Sequence, residues 1–202
     1  MAVIACTLFL FPAGNADGLP KFTDEQIGIL ESGDLLKLPV NKNKSAGYSG
    51  GKSYILVKAD QDTCFRIMAD IKNYYFFYDD TLIEARVVSK EGNKQLIKMV
   101  YGKGPAKLTY YANYTMMKKN HTIKFKVDRS YDNDLADALG YLKFARYDDE
   151  RTLMTNVTMV DLGEGLISKI FGNKITNGML KLPKYLKKFL ATPAAKKFTT
   201  AK

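Results

Sequence analysis

The 202-residue sequence has no tryptophan, a single histidine (His121) and two cysteines (Cys6 and Cys64). That inventory points to no disulfide framework, no zinc cluster and no Cys/His catalytic pair. It also lacks a glycine-rich phosphate loop. "YGKGP", residues 101–105, has no strand–helix setting and reads as a hairpin turn. Internal repeats and a second domain are missing too, and after residue 11 no apolar run approaches the ~20 residues that cross a bilayer. What is in excess is positive charge, 31 Lys+Arg against 21 Asp+Glu, a net +10. Such a balance attracts anionic surfaces, nucleic acid or lipid head groups alike, without choosing between them. With 46% hydrophobic and 26% charged residues the composition is that of one soluble globular domain.

"VIACTLFLF", Val3–Phe11, is apolar but too short to span a bilayer, and "PAGNA" follows with Gly14 and Ala16 spaced as before a cleavage point. Residues 1–16 are therefore expected to be a signal peptide, cleaved on export, with the periplasm as destination. No Lys or Arg precedes the run, and a start placed a few codons late would account for that. "VIAC" is also similar to a lipoprotein acylation box ending at Cys6, though only five residues precede that cysteine. A lipid anchor and a buried N-terminal segment stay open.

Residues 17–51 are expected to be an N-terminal helix and linker. In "FTDEQIGILESGD" Thr23 is the expected N-cap and Gln26 its capping-box partner, and "NKNKSAGYSGG" is a loop. The body runs from 52 to 192, and 193–202 is expected to be a flexible tail. "KSYILVKA" alternates as a strand, and "DQDTCFRIMADIKNYYFFYDD" gives a helix, a break near Asn73 and a second short helix. Six strand-like segments divided by turns follow. In "TIKFKVD" Ile123, Phe125 and Val127 alternate with Lys124, Lys126 and Asp128, the signature of an antiparallel sheet with one greasy and one wet face. Towards the C-terminus, Ile167, Phe171, Ile175, Met179, Leu182, Tyr185, Leu186 and Phe189 fall within an arc of roughly 120°. Lysines 169, 174, 181, 184, 187 and 188 lie opposite, which predicts a long amphipathic helix kinked at Pro183 and ended near Pro193.

Four stretches in this order carry a resemblance: "ADIKNYYFFYDD", "GYLKF", "VDLGEGLISKIFGNKITN" and "LKLPKYLKKF". Over about Lys52–Leu190 they resemble the START-like (SRPBCC) superfamily, the helix-grip fold of polyketide cyclases and coenzyme-Q-binding proteins. Leu142 stands where the family's "GxW" strand has tryptophan. The resemblance implies an α+β fold with two short helices after the first strand. A curved seven-stranded antiparallel sheet would grip the long C-terminal helix, leaving an apolar cavity between them. Members bind sterols, quinones, phospholipids or polyketides there, most to transport or present them and a minority to catalyse.

On that reading the cavity residues are Phe77, Ile97, Met99, Tyr101, Tyr110, Phe125, Leu142, Phe144, Phe171, Ile175 and Met179, with Asn156 as a polar anchor. Asn113 is a second candidate anchor, or simply faces water. The bland alternative is that these side chains pack on one another and leave no space. In the aromatic run Tyr74–Tyr78, Tyr74 and Phe77 are expected inside and Tyr75, Phe76 and Tyr78 at the rim. No catalytic set stands out. His121 falls in a turn, Cys64 on an apolar helix face, and Asp79–Asp80 in a solvated turn.

The basic helix side, Lys169, Ile170, Lys174, Leu180, Lys181, Lys184 and Lys188, is either a solvated face or a docking surface for an anionic membrane. The expectation is a monomeric, exported binder of a hydrophobic ligand, not an enzyme, without cofactor, metal or nucleic-acid partner. A cyclase or aromatase on the same fold, and an interaction module without ligand, are the alternatives.

Overall fold

The computed structural model describes residues 19–39, 47–78, 81–103, 106–163 and 178–199. Helix α1 (Asp24–Glu31) starts where the capping box lies: the Thr23 side chain accepts from Gln26 N, and Gln26 Oε1 accepts from Thr23 N. Strands β1 (Leu36–Pro39) and β2 (Ser49–Val57) follow, then α2 (Gln61–Ala69), capped by Asp60. The chain breaks at Asp70, passes through a 3₁₀ turn (Ile71–Asn73) and forms the short helix α3 (Tyr74–Phe77). Buried Asn73 holds the break by donating Nδ2 to Ile67 O at 2.8 Å. Six strands come next: β3 (Leu82–Glu91), β4 (Lys94–Lys103), β5 (Ala106–Met117), β6 (Thr122–Val127), β7 (Asp137–Arg146) and β8 (Thr152–Asp161).

Among the described residues eight strands form one antiparallel sheet in the order β1-β2-β8-β7-β6-β5-β4-β3. From β3 to β8 each strand pairs with the next, and β2 returns to pair with β8, Tyr54 opposite Thr155. The β3–β4 register slips twice, between Leu82 and Glu84 and between Val87 and Ser89, which bends that edge. Alternation in β6 places Ile123 and Val127 inside and exposes Lys124 and Lys126.

Three expectations need correction. The sheet has eight strands because part of the supposed linker, Leu36–Pro39, pairs with β2, and β2 itself starts at Ser49 rather than 52. Proline is tolerated there because β1 is an edge strand. The C-terminal helix does not run through Pro183. Gly178 and Met179 are helical, the chain turns at Leu180–Lys181, and a new helix covers Leu182–Leu190. Pro183 sits in its first turn, where no backbone N–H is needed, and so starts a helix instead of kinking one. Residues 164–177, expected as the first half of this helix, lie outside the described residues, as does the expected signal, 1–16. Finally, 193–199 is not a loose tail. Pro193–Ala195 and Lys196–Thr199 form two more turns of helix, with Ala195 and Phe198 buried because Phe198 packs on Phe189 and its carbonyl accepts from Arg66.

The sheet is also not greasy on one face alone. Its inner face carries the main core with α2, α3 and the C-terminal helix. On the outer face α1 covers β2 and β8, where Leu30, Leu36, Tyr54, Leu56 and Leu153 form a second, smaller core. β8 is consequently buried on both sides from Thr152 to Thr158.

Candidate functional site

The inner face is built from alternate residues of β4 to β8, and the sequence-predicted set converges on it. Ile97, Met99, Tyr110, Leu142 and Phe144 are buried, as is Phe77, which meets Phe189 edge to face at 5.6 Å. Between sheet and helices lies a cavity of about 20 Å³ lined by Met68, Tyr74, Tyr78, Tyr114, Phe125, Leu142, Thr158, Met179 and Leu182. Of the expected residues only Phe125, Leu142 and Met179 line it; the others pack behind, and Phe171 and Ile175 lie outside the described residues. This space suits one water, whereas ligand pockets span roughly 300–1,000 Å³. Tyr114 and Thr158 were missed because alternation in "YYANYTMM" and "LMTNVTMV" fits either face. Tyr74, expected inside, lines it together with Met68 of α2.

Around the cavity five tyrosines make a continuous aromatic chain. Tyr74 contacts Tyr114 at 6.2 Å and Tyr78 at 5.8 Å between ring centroids. Tyr78 meets Tyr101 edge to face at 5.4 Å, and Tyr101 stacks on Tyr110 at 6.0 Å. Burial pushes all five phenols above their ordinary value, Tyr110 to about 12. They are therefore neutral hydrogen-bond donors near neutral pH. The Tyr101 hydroxyl is buried, the Tyr78 and Tyr110 phenols are the hydrogen-bonding groups within its reach among the described residues, and part of the residue reaches the surface.

No protein-family model matches the chain, and no curated protein matches it by sequence. Solved structures do. The STAR-related lipid transfer protein from Xanthomonas axonopodis (fragment 25–204) superposes with a TM-score of 0.58 at 11% identity, covering 77% of this chain and 99% of that one. The Zhui aromatase/cyclase from Streptomyces sp. R1128 gives 0.56 at 10% identity, covering 73% and 98%. Norcoclaurine synthase from Thalictrum flavum gives 0.51 at 12%, covering 85% and 95%. The chain has the helix-grip fold that these structures share. At these identities the likeness is one of fold, and the fold houses both enzymes and lipid-transfer proteins.

Within the helix-grip frame several expected roles change. Asn156 is fully buried but is no free anchor. Its Nδ2 donates to Ser53 Oγ (3.1 Å) and Met179 O (2.9 Å), and its Oδ1 accepts from Thr158 Oγ1 (3.0 Å). It latches the chain before the C-terminal helix onto β2 and β8. Asn113 is exposed and donates to Asp128.

Leu180, expected on a membrane-facing side, is buried. The break at Leu180–Lys181 turns it inward over Gly51, where an added Cβ would stand 3.2 Å from its Cδ1. Lys181, Lys184 and Lys188 are exposed as expected, while Lys169, Ile170 and Lys174 lie outside the described residues. Lys187 donates to Gly33 O at 2.6 Å, tying the C-terminal helix to the end of α1.

In the aromatic run Tyr74 and Phe77 are buried, Tyr75 and Phe76 are exposed, and half-buried Tyr78 lines the cavity. Phe76 also packs on Phe189 at 5.2 Å, so the run joins α3 to the C-terminal helix. His121 closes the β5–β6 hairpin in a left-handed conformation (φ 45°) and packs its ring edge on Phe65. Cys64 is buried and its thiol pushed up, which makes it a poor nucleophile. Asp79 and Asp80 lie outside the described residues. A second concavity of about 570 Å³, open to solvent, is lined by Leu19, Lys119, His121, Lys143 and Arg146 among others. It draws on separate chain segments, so no single stretch of sequence signalled it.

Proposed function

We propose that the protein binds a small, largely apolar ligand between the inner sheet face and the C-terminal helix, and carries or presents it. The observation that carries this reading is the inner wall itself, an apolar surface with a chain of neutral phenols around a small cavity between sheet and helices. The lining includes Met68 and Met179, whose flexible side chains let a wall re-pack around a guest. Relatives in fold include a lipid transfer protein, which supports the same reading. Native mass spectrometry of protein purified without detergent should show an apolar molecule bound. Absence of any adduct, together with no binding from a panel of lipids, quinones and sterols, would sink the proposal.

Enzymatic conversion on this fold is the second reading, favoured by one observation: Tyr101 and Tyr110 stack together on the inner wall. Against it, phenols held above their ordinary value are poorly matched to proton transfer near neutral pH. Turnover of a poly-ketone substrate that is lost in Tyr110→Phe would favour the enzyme.

Export to the periplasm belongs to the same proposal, resting on the Val3–Phe11 run and the Gly14/Ala16 spacing. N-terminal sequencing of secreted protein should begin at Asp17. The working state is a monomer without a nucleic-acid partner, to be checked by light scattering and a nucleic-acid filter assay. Delivery at an anionic bilayer is supported by the exposed Lys181, Lys184 and Lys188, beside the exposed aromatics Tyr75 and Phe76. Each lysine near such a surface contributes about 1 kcal/mol. Sedimentation with phosphatidylglycerol vesicles should weaken in Lys184→Glu/Lys188→Glu, and an unchanged bound fraction would exclude this face.

A further inference from the structure

We propose that the open concavity around the end of β7 is a second binding site, and that it takes a phosphomonoester through Lys119, Lys143 and Arg146. Among the described residues it shares no lining residue with the inner cavity, so it stands independently of the apolar-ligand reading.

Size is the first observation. At about 570 Å³ the concavity lies within the roughly 300–1,000 Å³ of ligand pockets, whereas the inner cavity suits one water. There is room for an organic body attached to the anion, not for a bare ion alone.

Charge decides the class of ligand. Among the described residues, the charged members of the lining are Lys119, Lys143 and Arg146, and all three are cations. Gathering like charges destabilises the fold through self-repulsion, and a concave wall focuses their field on whatever enters. The acids next to this lining in the chain are engaged elsewhere. Asp60 caps α2, accepting from Thr63 N at 2.8 Å, and Asp148 holds Arg151 at 2.6 Å, where Glu31 joins it. Asp149 does pair with Arg146, but its side chain is 91% exposed, so water and salt weaken that hold. A phosphomonoester brings about −1.5 to −2 charges and three acceptor oxygens, which answers three cations better than a single carboxylate does.

The cations also sit on a held frame. Phe144 N donates to His121 O at 3.0 Å, fixing the 118–121 turn to β7, and Lys143 stands opposite Thr122 in the β6–β7 ladder. Gln61 Nε2 donates to Phe144 O at 3.0 Å, which pins the start of α2 to the same strand. Asn120 and His121 add hydrogen-bonding side chains to the lining. A frame already in place leaves little to be ordered when the ligand arrives.

The test titrates two phosphomonoesters with different bodies, glucose 6-phosphate and adenosine monophosphate, into the full chain by calorimetry. Glucose and adenosine are the uncharged controls, and inorganic phosphate is the ion alone. Both esters should bind more tightly than phosphate, the uncharged controls should not bind, and added salt should weaken the esters. In Lys119→Gln/Arg146→Gln the ester affinity should fall at least about fivefold, the loss expected from two partly screened contacts. The charge-matched variant Lys184→Gln/Lys188→Gln, on the C-terminal helix, should bind as the unaltered chain does. Amide shifts induced by either ester should concentrate at residues 118–121 and 143–147.

Phosphatidic acid vesicles present the same group on a membrane. Vesicle binding that needs Lys119 and Arg146 would assign the site to a lipid head group, and binding of the free esters alone would assign it to a soluble metabolite. Equal weakening in the two double variants would mean diffuse attraction to a basic protein and would overturn the proposal. So would phosphate binding as tightly as the esters, or no binding of esters and vesicles alike.

Discussion

The two cores on either side of the sheet are built from different materials. The outer one, under α1, is mainly aliphatic: Leu30, Leu36, Leu56 and Leu153 around a single tyrosine, Tyr54, which meets Phe22 edge to face at 5.1 Å. The inner one is larger and aromatic, and it encloses a cavity and five phenols raised by burial. A core that serves only stability gains from dense packing and from leaving no polar group unpaired. The inner core departs from dense packing where the sheet faces the C-terminal helix. Departures from consistent packing concentrate where a protein does something besides fold.

Alkaline titration should separate the two cores most strongly. The unfolded chain loses its phenol protons near pH 10, whereas the inner phenols hold theirs above that, Tyr110 to about 12. A folded pKa raised above the unfolded one gives stability that is complete below pH 10 and is lost as pH climbs through the folded value. Each such tyrosine costs about 1.4 kcal/mol per pH unit in that window. Five inner groups lose this together, so the fall is steep against the roughly 5–15 kcal/mol of an ordinary domain. The outer core holds one, Tyr54, also at about 12. Urea unfolding at stepped pH should therefore show flat stability to about pH 9.5 and a steep fall beyond it. Tyr110→Phe should reduce that slope by one proton. Stability unchanged at pH 11 would contradict the burial of the inner phenols.

Cavity-forming substitutions come next in size. Phe77→Ala should cost about 3–5 kcal/mol, because it empties the contact with Phe189 on the C-terminal helix. Leu30→Ala in the outer core should cost about 2–5 kcal/mol. Their consequences should differ in kind: Phe77→Ala alters uptake of an apolar ligand and Leu30→Ala leaves it unchanged. Equal effects on uptake would mean that the outer core also shapes the site. Leu142→Trp works in the opposite direction, forcing a large ring into a cavity of about 20 Å³. Overpacking should cost about 1–3 kcal/mol while abolishing uptake. Uptake retained in Leu142→Trp would place the ligand elsewhere.

Local signals in the sequence translated well into structure. Thr23 and Gln26 form their capping box, Asn73 marks the helix break, and the alternation in "TIKFKV" places its lysines outside. Long-range facts did not. Leu36–Pro39 is too short for its period to be counted, and it becomes a strand only because the edge of β2 offers hydrogen bonds. Burial of β8 on both faces depends on α1 folding over it from more than a hundred residues away. Leu180 was placed on the wrong side because a helical wheel assumes an unbroken 100° advance, and the turn at Leu180–Lys181 resets the phase. The candidate site followed the same division. Phe125, Leu142 and Met179 were legible by period, whereas Tyr114 and Thr158 lie in segments whose alternation fits either face, and only the fold decides which face turns inward.

The smallest expected effect tests whether the two cores are separate at all. Leu30 and Phe77 belong to different clusters divided by the sheet, and residues without shared partners add their costs to within about 0.5 kcal/mol. The double variant Leu30→Ala/Phe77→Ala should therefore show almost no coupling in urea unfolding. Around the sheet's β1 edge the two regions meet: Lys187, on the C-terminal helix, donates to the carbonyl of Gly33, just after α1, and Leu35 packs against the inner core beside outer-core Leu36. The lysine contact is solvent-exposed, so Lys187→Met should cost under about 1 kcal/mol and remove its share of any residual coupling. Coupling well above about 0.5 kcal/mol that survives Lys187→Met would show strain passing through the sheet or around its edge at Leu35. The outer core would then be a brace for the ligand-facing wall, and Leu30→Ala should begin to alter uptake.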